Sequence, residues 1–230
     1  MSKNTENKCD CVEVSQVRKI GPTRRSVSGV YMFRGKTPIQ FESTLERDFV
    51  IREEFSLAVQ RVVPQPCQIP FLTTKGRTYK YTPDFLVVYG PGSCYSKPKL
   101  VEIKPEKEWR AHWREWLPKW KAAWRYASDL GWDFHIHDET RIRDRTYQNI
   151  RDLDRYKRMR FGDEKSRAVI EIVLQAGRIP LHQLLTNSSM GENPMENVAH
   201  IWHLLAVRQL DCDMSGPLND STMLWIPGNE

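Results

Sequence analysis

The sequence predicts an α/β core followed by a small module of three helices and a β-wing. Three observations carry this reading. Between Ser43 and His137 the pattern runs from an amphipathic helix, through two runs rich in β-branched and aromatic residues, to a tryptophan-rich helical stretch and an alternating strand. Beyond Gly162 three short helical segments and a closing hairpin occupy about 70 residues, the layout of a winged-helix module. The 230-residue chain is 40% hydrophobic and 10% aromatic, enough to bury a core, which excludes wholesale disorder.

Taken in order, Met1 to about Gly29 is rich in Lys, Asn, Ser and Thr around Gly21-Pro22 and is expected as a flexible basic arm, residues 1–29. Lys19, Arg24 and Arg25 are placed there for phosphate contact, although a solvated tail is the simpler reading. Leu45, Phe49, Phe55 and Val59 recur near helical spacing, with a helix end expected around Phe55. Ser43 is its N-cap and Glu46 completes a capping box. Val62 to Phe71 contains Pro64, Pro66 and Pro70 and is expected to be extended and irregular. Arg77 to Tyr89 reads as a strand, Gly90-Pro91-Gly92-Ser93 as a turn, and Lys99 to Lys104 as the returning strand of a long-looped hairpin.

Trp109, Trp113, Trp116, Trp120 and Trp124 follow at helical spacing. Pro118 interrupts them, so two helices are expected, the second starting near Pro118. Gly131 ends the second, and Trp132 to His137 alternates like a strand. Arg141 to Arg160 carries eight basic and three acidic residues around an apolar stripe of Ile142, Tyr147, Ile150, Leu153 and Tyr156. Helices are expected over Glu164–Ala176, Pro180–Leu185 and Pro194–Val207, and a hairpin over Gln209–Cys212 and Thr222–Ile226.

The formal charge of +6 permits nucleic acid as a partner without demanding it. No apolar run approaches the roughly 20 residues of a membrane span, and the polar N-terminus has no secretory h-region. Five scattered cysteines (Cys9, Cys11, Cys67, Cys94, Cys212) argue for free thiols in a reducing compartment, hence a cytoplasmic protein.

The chemistry concentrates in Pro83-Asp84 and Glu102-Ile103-Lys104. Side chains at i and i+2 of a strand share a face, so Glu102 and Lys104 point the same way. If Tyr89 lies opposite Lys99, Asp84 lies opposite Lys104 on that face. Two carboxylates and a lysine at one end of a hairpin suit phosphodiester hydrolysis. Carboxylates bind hard cations such as Mg²⁺, and a lysine orients or helps deprotonate the attacking water or stabilises developing charge. Glu42 or Glu46 on the preceding helix supplies a third acid. A surface hairpin with a Glu–Lys pair is the bland alternative, but charges between hydrophobic strands need a reason.

In these residues the sequence resembles the TnsA endonuclease subunit of heteromeric transposases. The matching segments, in order, are Glu42-Ser-Thr-Leu-Glu-Arg-Asp-Phe49, Val63-Pro-Gln-Pro66, Tyr81-Thr-Pro-Asp-Phe85, Val101-Glu-Ile-Lys-Pro105, Arg141-Ile-Arg143, Tyr147-Gln-Asn-Ile150 and Arg155-Tyr156. The resemblance covers roughly residues 35–156; the C-terminal part fits in layout only. It implies a restriction-endonuclease-like (PD-(D/E)xK) nuclease domain over 30–160 and a winged-helix-like domain over 161–230. It further implies bacterial, Mg²⁺-dependent cutting (Mn²⁺ as a substitute) of the 5′-strand ends of transposon DNA, while a DDE-type transposase subunit cuts and joins the 3′ ends. Carried over, Glu46, Asp84, Glu102 and Lys104 form the catalytic set, and Asp84, Glu102 and Ile103 the metal positions. The choice between Glu42 and Glu46 stays open, and Gln65 either supports the site or satisfies loop backbone. A stand-alone nuclease of resolvase or restriction type, and a non-catalytic assembly factor on the same scaffold, are the competing readings.

Other features divide less sharply. Trp120 and Trp124 are expected in the core, whereas Trp109 and Trp113, beside Arg110, His112 and Arg114, are open between core and DNA contact. Some of the arginines of 141–160 are placed for DNA or partner contact, with a plain solvated helix as the alternative. His135 with His137, and His200 with His203, lack further ligands at zinc spacing. The last helix carries only Glu196, His200 and His203 as titratable groups, so this module is expected to dock protein rather than DNA. In the resembling family it meets the AAA+ ATPase regulator of transposition.

Overall fold

The computed structural model describes residues 14–18, 27–73, 75–91, 93, 97–186 and 193–228. Lys19, Arg24, Arg25, Cys9, Cys11, Cys94 and Gly92 lie outside the described residues. The chain forms two compact units. One comprises the residues up to Glu46 with 58–136, the other Arg47–Leu57 with 137–230.

The first unit contains an antiparallel hairpin the sequence reading does not anticipate, β1 (Gly29–Phe33) and β2 (Thr37–Phe41). Short strands with one buried face leave a weak pattern, and here only Phe33, Ile39 and Phe41 are buried. Part of the expected arm is held against this unit. The Val17 amide donates to the Gln65 carbonyl at 3.0 Å, and the Gln16 side-chain amide to Gln40 Oε1 at 2.8 Å. Helix α1 (Thr44–Phe55) is capped by Ser43 as expected, ends at Phe55, and passes from the first unit into the second at Arg47.

A four-stranded sheet follows, in the order β3 (Val59–Pro64), β6 (Phe85–Tyr89), β7 (Lys99–Ile103), β8 (Asp133–His137). The proline-rich stretch is more regular than expected. Pro64 pairs with Phe85 at the end of β3, and Pro70 with Lys80 in a separate ribbon of β4 (Ile69–Leu72) and β5 (Thr78–Tyr81). A strand end and a two-stranded ribbon are where the missing proline N–H costs nothing. The run Arg77–Tyr89, expected as one strand, is broken at Thr82-Pro83-Asp84 into β5 and β6, which join different sheets.

The hairpin register also differs. Phe85 faces Val101 and Val87 faces Lys99, so the strands are offset by two residues from the register that sets Tyr89 against Lys99. Because side chains alternate with period two, this even offset keeps every side chain on its expected face.

Helix α2 (Glu106–Asp129) runs unbroken through Pro118, correcting the expected break. A proline leaves the carbonyl of residue i−4 without its donor. Here that residue is Arg114, on an exposed stretch of the helix where a freed carbonyl is open to solvation. The helix ends at Gly131, whose φ of 71° a β-carbon would oppose. The amides of Gly131 and Trp132 donate to the carbonyls of Ser128 and Ala127 at 3.0 and 2.8 Å, a Schellman closure. Its inner face buries Trp120, Ala123 and Ala127 with Val63, Leu86, Leu100 and Trp132. Trp124, expected in the core, is 59% exposed.

The second unit holds α3 (Glu139–Ile142), α4 (Arg145–Lys157), α5 (Asp163–Ala176), α6 (Leu181–Leu185) and α7 (Pro194–Ala206). A sheet in the order β10 (Asp211–Cys212), β11 (Met223–Trp225), β9 (Arg178–Pro180) completes it. The α4 stripe is real, but Ile150 and Leu153 pack with Val169, Val173, Ile201, Leu204 and Leu205 of α5 and α7. Helix α4 thus belongs with the C-terminal helices, and the units part at Ile136/His137 rather than near residue 160. Asn149, buried on α4, ties the later loop in by donating to the carbonyls of Met214 and Gly216 at 3.0 and 2.7 Å. Cys67 and Cys212 are free buried thiols.

Candidate active site

The site lies at the β6–β7 end of the four-stranded sheet. Pro83 ends the preceding ribbon and places Asp84 just before β6, where its carbonyl accepts the Gln65 amide at 2.8 Å. Glu102 sits on β7, an interior strand of the sheet, and is 1% exposed. Lys104 follows the last residue of β7, and Pro105 sits at the N-cap of α2.

Three oxygens converge on one ammonium. Lys104 Nζ lies 3.0 Å from the Ile103 carbonyl, 3.4 Å from Glu102 Oε1 and 3.7 Å from Asp84 Oδ2. Asp84 Oδ2 also accepts the Ile103 amide at 2.7 Å, which fixes the carboxylate against the strand. Glu102 is held at both oxygens. Tyr81 donates to Oε2 at 2.6 Å, and Lys119 Nζ of α2 donates to Oε1 at 3.1 Å. Burial, with Glu102 and Asp84 close by, holds the Tyr81 hydroxyl well above its ordinary pKa, so it remains a donor.

The electrostatics are those of a site short of positive charge. Burial raises the Asp84 pKa well above the usual carboxylate range; Glu102 and Glu46 add to this, while Lys104 and the Ile103 amide oppose it. Burial also raises that of Glu46, against the Glu42 amide, the Ser43 hydroxyl and Lys104. Burial works against the Lys104 ammonium, yet Asp84, Glu102 and Glu46 outweigh it and hold its pKa above the ordinary lysine value. Three carboxylates face two ammoniums, and the uncompensated negative charge favours a bound cation or a proton.

Glu46 is the helix acid that reaches this field. Its Oε2 accepts the Glu42 amide at 2.7 Å and its Oε1 the Ser43 hydroxyl at 3.1 Å, a variant of the capping box. Glu42 turns instead to Arg18, at 3.1 Å. Gln65 is buried in a left-handed backbone conformation, φ 45°, and its Oε1 has no partner among the described residues.

The donor set fits a hard divalent cation: two carboxylates and one carbonyl, all oxygen, already gathered around a positive charge. Among the described residues no three acidic, histidine or cysteine side chains stand together at ligand spacing. Glu46 is near enough to act on the charges of Asp84 and Lys104. Sequence reasoning missed Lys119 and the role of Tyr81. The signal was present for Lys119, a charge at i+3 from Trp116 and i−4 from Ala123 on the inner face of α2.

Paired carboxylates and a lysine thus stand together across adjacent strands of one sheet. Two family models match the chain: the TnsA-like endonuclease N terminal over residues 51–139 and the TnsA endonuclease C terminal over 141–214. The chain belongs to the TnsA endonuclease family of transposase subunits. Asp84, Glu102 and Lys104 fall within the first match, Glu46 just before it. No curated protein matches the chain. Among the described residues no helix is long and apolar enough to cross a membrane.

Proposed function

We propose that the chain is the divalent-metal-dependent endonuclease that hydrolyses the 5′-strand ends of a transposon during cut-and-paste transposition. The observation that carries this reading is the convergence of Asp84 Oδ2, Glu102 Oε1 and the Ile103 carbonyl on the Lys104 ammonium. Those three groups would hold Mg²⁺, with Mn²⁺ as a substitute. When bound, the metal supplies Lewis-acid stabilisation of charge on the scissile phosphate and acidifies water.

The remaining work falls to the chain. In the metal-free chain the carboxylate neighbours of Lys104 hold its ammonium pKa up. The part of Lys104 is to orient the attacking water and to stabilise negative charge as a point cation. Tyr81 and Lys119 pin the two oxygens of Glu102 so that the carboxylate keeps one orientation. Glu46, capped at the start of α1, tunes the field on Lys104.

The scaffold is read as a restriction-endonuclease-like core. Helices α5 to α7 with the β9–β11–β10 sheet support a winged-helix reading of the C-terminal module. Family membership supports a DDE-type transposase as the partner that handles the 3′ ends. The sparse charge on α7 suits a protein partner for the C-terminal module, such as an AAA+ regulator of transposition.

The test is reconstituted cleavage of donor DNA with Mg²⁺, the transposase and the ATPase, comparing wild type with Asp84→Ala. Loss of 5′-strand nicking with retained 3′-end cutting is the expected result. If neither protein nicks the 5′ strand while the transposase still depends on both, the chain is an assembly factor.

A further inference from the structure

Helix α2 carries a ridge of cations that the catalytic constellation does not use. Lys107, Arg110, Arg114, Lys121 and Arg125 recur at intervals of three, four, seven and four residues, the spacing of a single helix face. All five are exposed. The ridge lies away from the inner face that buries Trp120, Ala123 and Ala127. The two acids between its ends, Glu108 and Glu115, sit about a quarter-turn round the helix. Among the described residues Arg110 is the one cation of the five in an ion pair, to Glu106 at 2.7 Å. The turns from Lys107 to Glu115 are exposed almost all the way round, which a helix serving only the core does not require.

Tryptophans line one edge of the ridge. Trp113 is 41% and Trp124 59% exposed, eleven residues apart and so on one face. The Arg114 guanidinium lies 4.8 Å from the Trp113 ring centroid, and that of Arg110 lies 5.1 Å from Trp109. Stacked guanidiniums are pre-aimed at little further entropic cost.

We propose that this ridge of α2 is a sequence-independent DNA-binding surface that lies along the phosphate backbone of the duplex being cut. The inference rests on the nuclease reading for its choice of polyanion and deepens it by naming the surface. From Lys107 to Arg125 the helix rises about 27 Å, the length of about eight base pairs of duplex. The ridge begins three residues after Lys104, so a backbone bound along it is delivered from the same element that follows the catalytic strand. Regularly spaced cations, four of the five outside any ion pair among the described residues, match a polyphosphate; an acidic protein patch demands no such periodicity.

The test is equilibrium binding of unrelated duplex DNAs by the full chain in EDTA, from about 50 to 200 mM salt. Wild type is compared with Lys121→Gln/Arg125→Gln and with the charge-conserving Lys121→Arg/Arg125→Lys. An equal charge loss on α5, Lys165→Gln/Arg167→Gln, serves as control. Removing two phosphate contacts lowers the slope of log K against log salt by about 1.8 and weakens binding to all sequences alike. Over that salt range the wild-type affinity should then fall about twelvefold more than that of the ridge variant. The conservative pair and the α5 pair keep the wild-type slope.

An unchanged slope in the ridge variant, an equal drop in the α5 variant, or no DNA binding by wild type overturns the proposal. Retained DNA binding with lost association to the partner transposase also overturns it, and makes the ridge a protein-docking face. Cleavage in Mg²⁺ is read separately. A chain that binds through the ridge but never nicks overturns the nuclease reading and leaves the ridge standing.

Discussion

Lys119 Nζ stands 3.1 Å from Glu102 Oε1 and 4.9 Å from the ring centroid of Tyr81, whose hydroxyl holds the other oxygen of the same carboxylate. A glutamate 1% exposed on an interior strand needs such partners, because an unpaired buried charge is costly. Lys119→Met removes one of two ammoniums and leaves the aliphatic packing. We expect a loss of about 1–3 kcal/mol in urea unfolding without metal, and a larger stabilisation by added Mg²⁺ than in wild type. Equal metal-induced shifts in the two proteins would show that Lys119 does not compensate Glu102.

Asp84 gives the opposite sign. Burial and the neighbouring Glu102 raise its pKa well above the ordinary value, so the folded state binds its proton more tightly than the unfolded state does. Stability is therefore lost as pH rises from the unfolded carboxylate pKa toward the folded one. At neutral pH in EDTA, Asp84→Asn should raise the unfolding midpoint by on the order of a few degrees, since an amide oxygen still accepts the Ile103 amide. The same variant should not nick DNA. A lower midpoint would mean that the Lys104 contact outweighs the desolvation.

The acid limb of stability has a separate source in the second unit. Asp144 caps α4 by accepting the Tyr147 amide at 2.9 Å and pairs with Arg52 at 2.8 Å. Burial pushes its pKa up, but the Arg52 and Tyr147 hydrogen bonds prevail and hold it below the usual range. Its contribution is complete above the unfolded pKa and is lost as pH falls through the folded one, a window below about pH 4. Asp144→Ala should cost about 1 kcal/mol at pH 7 through the lost cap, with a difference from wild type that shrinks in acid. A difference constant down to pH 3 would contradict the ion pair.

What the sequence made legible follows from which interactions are local. The cap at Ser43, the stop at Gly131 and the sharing of a face by Glu102 and Lys104 depend on residues a few positions apart, and each stands as read. The hairpin register does not; it lies two residues from the one the sequence suggests, and the even offset preserves the faces. The β1–β2 hairpin was missed because three buried side chains in ten residues leave no clear alternation. The grouping of α4 with α5 and α7 was not visible, because an apolar stripe says that a partner exists but not which one. Lys119 was overlooked because a lysine among tryptophans reads as a surface residue until its partner strand is known.

The tryptophan stripe separates pattern from position. Trp120 and Trp124 are four residues apart, which puts both near the inner face on any helical wheel. Yet Trp120 is 8% exposed, packed with Leu86, Leu100 and Trp132, while Trp124 is 59% exposed. Their angular positions differ by about 40° from ideal repetition, and Trp120 falls on the side of Ala123 and Ala127. Trp120→Ala should therefore destabilise by about 3–5 kcal/mol, the cost of a large core cavity. Trp124→Ala should stay within about 0.5 kcal/mol. Chemical unfolding of the two variants checks this directly. A Trp124→Ala loss comparable to that of Trp120→Ala would place Trp124 in a packed interface, and its exposed ring would not be free to flank the cationic ridge.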